Sequence, residues 1–291
     1  MIAAHWQTAL FALAAMSIMA AHALFDPSLP AQVLLLAPLV AILGLPHGAL
    51  DLPIAEALWP LETRARQAMF AALYLGLSGA VVAVWLLLPG FALLAFLAYS
   101  MLHFSEDWAA DLPALRWSGG LATVGAPALL HHGEVEAIFA MLAPGGAALA
   151  ADAAALAGGV GLALLVLAIL TSARARGSAS LELAVLWTSA AVLPPLMYFA
   201  VYFCALHSIR HFTTTMHAVP NGRRALGVAV LLSVLTTLAA LLAWRQGMTG
   251  PVADTTEQGI RVIFIGLAAL TVPHMILVDR FRRADTKTEA P

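Results

Sequence analysis

The stretch AALAADAAALAGGVGLALLVLAIL, residues 147–170, has one charged side chain, Asp152, in 24 residues. At 1.5 Å per residue a helix of that length measures about 36 Å, enough to cross the roughly 30 Å hydrocarbon core of a bilayer. Comparable apolar stretches lie at approximately 8–25, 31–58, 66–88, 91–107, 119–142, 181–217, 224–244 and 259–280. Helix breakers stand between them: Asp26-Pro27, Pro60, Pro89-Gly90, Pro113, Pro144-Gly145-Gly146, Gly177-Ser178, Pro220-Asn221-Gly222 and Gly250-Pro251. The expected fold is an all-α polytopic membrane helix bundle, with residues 1–291 forming a single membrane-embedded domain.

Composition points the same way. The chain is 62% apolar and 10% charged, with a mean hydropathy of +0.91, which excludes a soluble globular domain and a disordered chain. Its basic residues are spread thinly rather than gathered in a stripe, so no nucleic acid is expected as a partner. The single cysteine, Cys204, excludes an intramolecular disulfide and a thiolate zinc site. No Lys or Arg precedes Arg64, so the first apolar stretch reads as a retained helix rather than a signal peptide.

Basic residues also constrain topology. Nine crossings would put Arg64 and Arg66 on one side and both Arg223-Arg224 and the tail Arg280, Arg282 and Arg283 on the other. Treating 119–142 as an incomplete crossing removes most of this conflict, because its apolar run is interrupted by His131-His132-Gly133-Glu134 and Glu136. Only Arg174 and Arg176 then remain on the external side. The reading is about eight transmembrane helices (seven to nine), in the inner (plasma) membrane, with both termini cytoplasmic.

Helices two, four, six and eight then run toward the cytoplasm, and each carries histidine near its C-terminal part. These are His47 in GLPHGALD (44–51), His103 in HFSED (103–107), His207 and His211 in HSIRH (207–211), and His274 in PHMILVD (273–279). An ionisable side chain at membrane depth costs a few kcal/mol or more unless it finds a partner, so several at one depth point to a shared site. His207 and His211 lie one turn apart on one helix face, a spacing that lets two ligands reach one metal. Imidazole suits Zn, Cu, Fe or Ni. Asp51, Glu106, Asp107 and Asp279 fall within about a turn of these histidines, where a carboxylate can orient an imidazole through its other N–H.

Together these four blocks resemble the signature segments of the Brp/Blh-type membrane β-carotene 15,15′-dioxygenases, bacterial and archaeal enzymes that make retinal for rhodopsins. The resemblance runs in the same order from helix two to the C-terminus. It implies an iron(II) enzyme that uses O2 to split the central 15,15′ double bond of β-carotene into two all-trans-retinal molecules. The family's metal-binding histidines fall on His47, His103, His207 and His211, and His274 matches a recurring block without an established ligand role. Asp51, Glu106 and His274 are candidate groups around the ligands, and no acid or base is expected beyond the metal centre. The implied partners are β-carotene, O2 and the lipid bilayer, with a retinal-binding rhodopsin as a functional link.

A C40 hydrocarbon dissolves in bilayer tails, so an enzyme embedded there can take it up laterally. Phe104, Tyr198, Tyr202 and Phe203 are candidates to line an apolar tunnel for it. Tyr198 and Tyr202 stand at i and i+4 in the stretch that carries the histidine pair, and Pro194-Pro195 upstream must break that stretch's hydrogen-bond ladder. Three other readings compete: a membrane b-type haem protein with bis-histidine ligation, a non-catalytic carotenoid- or retinal-binding membrane protein, and a di-iron lipid hydroxylase.

Overall fold

The computed structural model describes residues 5–108, 111–172, 177–219, 221–247 and 254–288. Arg174, Arg176, Pro220 and Gly250-Pro251 lie outside the described residues, as do the side chains of His47, Arg282 and Arg283. Among the described residues there is no strand. The N-terminal helices are α1 (His5–Phe25), α2 (Leu29–Leu39), α3 (Leu45–Gly48), α4 (Asp51–Leu58), α5 (Arg64–Leu87) and α6 (Pro89–Phe104). Then come α7 (Pro113–Leu130), α8 (His132–Leu142), α9 (Ala147–Thr171) and α10 (Ser178–Val192). The last four are α11 (Pro195–Tyr202), α12 (Ser208–Ala218), α13 (Gly222–Gln246) and α14 (Thr255–Thr288).

Five of these helices are long and apolar enough to cross a membrane: α1, α5, α9 with its preceding turn, α13 and α14 as far as Phe281. The outward-turned Leu231, Leu235, Leu238 and Leu242 of α13 are all at least half exposed, a surface that suits hydrocarbon and would aggregate in water. The protein is an all-α membrane helix bundle. Proline and capping chemistry punctuate it where the sequence reading put the breaks: Pro89 opens α6, Pro113 opens α7, and Asn221 caps α13 by accepting from the Arg224 N–H.

The other apolar stretches are interrupted. Residues 31–58 run through α2, a π turn at Val40–Gly44, α3 and α4, the wide turn following Pro38 inside α2. Residues 119–142 divide at His131, between α7 and the 11-residue α8. The stretch 181–217 breaks at Leu193-Pro194, as two consecutive prolines require, and Pro195 begins α11. From there the chain stays helical through a π turn at Phe203–His207 into α12. π turns are rare and concentrate at functional sites; one ends three residues before His47, and the other ends on His207.

The chain forms two compact units, Met1–Leu39 with Pro89–Arg210, and Val40–Leu88 with His211–Pro291. In the first, α7 and α9 pack backbone against backbone, in the small-residue manner of membrane helices. A Cβ on Gly125 would run into the Gly158 main chain, and one on Gly158 into the Gly125 carbonyl. On the next turns of α7, Gly119 makes room for the Trp108 indole and Gly120 for Ser105. In the second unit α14 packs on α5 and α4. There Ile54 and Ala55 meet Leu277 and Val278, while Leu50 packs with Val219, Ala225 and Ala229.

Alanine scanning of the α9 glycines should therefore split by face. Gly158→Ala must move backbone and should cost at least 1–3 kcal/mol, the usual range for overpacking. Gly159→Ala meets nothing within 4 Å and should be neutral or gain up to about 1 kcal/mol of helix propensity. Thermal melting of the two variants in detergent checks the opposite signs.

Candidate functional site

In the first unit the site is built around Asp107, in the short turn Ser105–Asp107 that ends α6. Its Oδ2 lies 2.8 Å from His207 Nδ1 and accepts the Tyr202 hydroxyl at 2.5 Å. A carboxylate at that distance fixes the proton on Nδ1 and leaves Nε2 as the lone-pair nitrogen, the arrangement typical of a metal-binding histidine. Arg210 Nη1 donates to the Asp107 carbonyl at 2.5 Å, and its Nη2 to Glu182 Oε1 of α10 at 2.8 Å. Thr8 of α1 donates to the same Glu182 oxygen at 2.5 Å. Arg210 and Glu182 are a buried ion pair, and each answers the other's desolvation cost.

The His103 and His207 rings stand edge to face, with centroids 4.9 Å apart. Both are buried, and Glu106 lies 4.0 Å from His103 Nδ1. Phe104 meets the His207 ring edge-on at 4.9 Å, and Phe203 stacks on it at 5.6 Å. Tyr202 is stacked on Trp108 and its hydroxyl belongs to Asp107. Tyr198 is also buried, but its hydroxyl donates to the Ala122 carbonyl of α7.

Tyr202 and His207 share Asp107 because of the π turn between them. In an α-helix residues five apart point about 140° apart around the axis, whereas i→i+5 bonding brings them back over one another. A 3.6-residue period therefore could not foresee this pairing.

The second unit repeats the chemistry. Asp51, first residue of α4, uses both oxygens: Oδ1 lies 2.6 Å from His274 Nδ1, and Oδ2 accepts the Tyr74 hydroxyl of α5 at 2.7 Å. The His274 ring is 4.9 Å from that of His211, whose Nδ1 faces Thr215 Oγ1 at 3.4 Å. Asp51 and His274 are buried. His47 belongs to this unit, in α3.

The structure thus pairs His103 with His207, and His211 with His274, and places Asp51, singled out for its spacing from His47, against His274. Asp107, one of the four carboxylates placed near the histidine blocks, holds His207, 100 residues away in sequence. Sequence reasoning did not name Arg210, Glu182, Tyr74 or Thr8. Arg210, between two histidines, and Glu182, in an apolar stretch, were legible as charges at membrane depth. Tyr74 left no signal, being an ordinary tyrosine 23 residues from its partner. The two histidines within residues 119–142 are engaged elsewhere in the first unit: His131 with the Ala190 carbonyl at 2.8 Å and His132 with Asp152 at 3.0 Å.

Two imidazoles bound to one ion at about 2.1 Å would have ring centroids roughly 4.5–5.3 Å apart for bond angles of roughly 90–109°. Each of the two pairs fits that separation, and a carboxylate-held Nδ1 in each supplies the expected support. Among the described residues no three His, Cys, Asp or Glu side chains form a metal-holding group. A haem bracketed by His103 and His207 is disfavoured, because a 4.9 Å centroid separation leaves no room for the macrocycle between them.

No solved structure matches the chain. Its sequence is 35% identical to the "Beta-carotene 15,15'-dioxygenase" of an uncultured marine bacterium, 66A03, covering 83% of this chain and 90% of that protein. It is 28% identical to the "Probable beta-carotene 15,15'-dioxygenase Blh" of Halobacterium salinarum, with 83% of each covered. Residues 38–282, which take in parts of both units and the four histidine blocks, match the family described as beta-carotene 15,15'-dioxygenase, and the chain belongs to that family.

Proposed function

We propose that the protein cleaves the central 15,15′ double bond of β-carotene with O2, giving two all-trans-retinal molecules. The observation that carries this reading is the buried His103–His207 pair, one ring held by Asp107, in a chain of this family. Relatives at 35% and 28% identity are named for the same reaction. The balance is simple: one C=C bond and one O–O bond are lost, two C=O bonds form, and each aldehyde keeps one oxygen. No proton moves overall, so no side chain is required as acid or base.

Iron(II) is the proposed cofactor, with His47, His103, His207 and His211 as its ligands. When bound it supplies the redox chemistry that lets triplet dioxygen react with a closed-shell polyene. The protein's own residues do the positioning. Asp107 fixes the tautomer and tilt of His207, Tyr202 and Arg210 fix Asp107, and Glu182 with Thr8 fixes Arg210. Phe104 and Phe203 keep the faces of His207 dry and apolar, which suits a hydrocarbon chain lying alongside. Substrate and product dissolve in lipid, so we place the enzyme in the inner (plasma) membrane, delivering retinal to a retinal-binding rhodopsin.

In a β-carotene-producing bacterial host the chain should convert the pigment to retinal, with both aldehyde oxygens labelled under 18O2. The purified protein should carry about one iron and show no Soret band; a Soret band, or pigment left uncleaved by iron-loaded protein, would overturn the reading. His47→Ala, His103→Ala, His207→Ala and His211→Ala should each lose most bound iron and most retinal formation. His5, His22, His131, His132 and His217 should tolerate the same change.

Asp107→Asn tests the support of His207. It should weaken iron retention and turnover about 10–100-fold, the usual cost of losing a carboxylate behind a ligating histidine. Cys204→Ser should leave both unchanged. Metal analysis and retinal chromatography on the same preparations read both effects.

A further inference from the structure

Asp107 with His207 and Tyr202, and Asp51 with His274 and Tyr74, bring the same three residue types together from unrelated segments. Each carboxylate faces a histidine Nδ1 and accepts a tyrosine hydroxyl, Asp107 with Oδ2 for both and Asp51 with one oxygen for each. In each, the supported histidine stands 4.9 Å from a second one, His103 or His211. His274 also follows a proline inside its helix, Pro273 in α14, as His47 follows Pro46 in α3. A histidine placed only to join two helices needs one acceptor. At His274 the acceptor is a buried carboxylate whose other oxygen is also held, an arrangement that fixes a ring's orientation rather than merely satisfying its N–H.

We infer that His274 is a metal ligand of the second unit, beside His211, with Asp51 and Tyr74 as its positioning pair. This rests on the iron-dependent reading above. With Nδ1 committed to Asp51, Nε2 is the nitrogen that serves the ion. The reason for a carboxylate is the same as at His207: it raises the basicity of the ring and selects one tautomer. Tyr74 is one step further out, holding Asp51 as Tyr202 holds Asp107.

The test uses the full-length protein in detergent, loaded separately with iron(II) and cobalt(II), as wild type and as His274→Gln, Asp51→Asn and Tyr74→Phe. Metal retained after equilibrium dialysis gives the affinity, the visible cobalt(II) bands report the ligand set, and melting of the metal-free proteins reports folding. His274→Gln should alter the cobalt bands and weaken retention at least tenfold. Asp51→Asn should act in the same direction by about 10–100-fold, and Tyr74→Phe by a few-fold. A His274→Gln protein that melts like wild type, retains its metal and keeps the wild-type cobalt bands overturns the inference. Should that variant not fold, unchanged cobalt bands in Asp51→Asn overturn it instead. Wild-type protein that takes up neither metal would remove the iron-dependent reading itself, a result distinct from metal binding that ignores His274.

Discussion

A buried imidazole must have a partner on one nitrogen before its other nitrogen can be of use, and most of the first unit is arranged around meeting that condition at His207. Asp107 meets it, but a buried carboxylate brings a larger demand of its own. Tyr202 and Arg210 answer Asp107, Glu182 answers Arg210, and Thr8 answers Glu182. Five polar side chains from α1, α10, α11, α12 and the turn after α6 are thereby linked to a single ring. In a low-dielectric interior such a series is strong when complete and costly when cut, because removing one member leaves the next charge unpaired.

Close backbone packing makes the series geometrically feasible. Ser105 sits fully buried against Gly120, and Trp108 occupies the space that Gly119 leaves open. The turn that carries Asp107 is therefore pressed onto α7 on both sides of the carboxylate. Small residues here set where a charge lies, which is a stricter role than filling a core.

The bundle class was legible because lipid imposes composition and helix length directly, and proline and glycine mark the breaks. The histidine blocks were legible because ionisable groups stand out in apolar stretches. The partners were less so. Asp51 was identified because it lies four residues from His47, yet the ring it holds is His274, which is 223 residues away. Tyr202 stood out as an aromatic beside the site, but its hydroxyl chemistry depends on a change of helical period that residue spacing cannot reveal. Tyr74 and Thr8 are distinguished only by what three-dimensional packing brings to them.

The π turn at Phe203–His207 fits one residue more into the helix than regular winding would. Winding, and not only residue identity, is therefore part of what this segment encodes. The π turn takes up its extra residue within one turn, so Tyr202 and His207, five residues apart, share a face as residues four apart do in a regular helix. Were the same five residues wound regularly, everything beyond would turn by about 100° and His207 would swing away from Asp107. The wide turn thus holds a ring in place without contributing a polar group of its own.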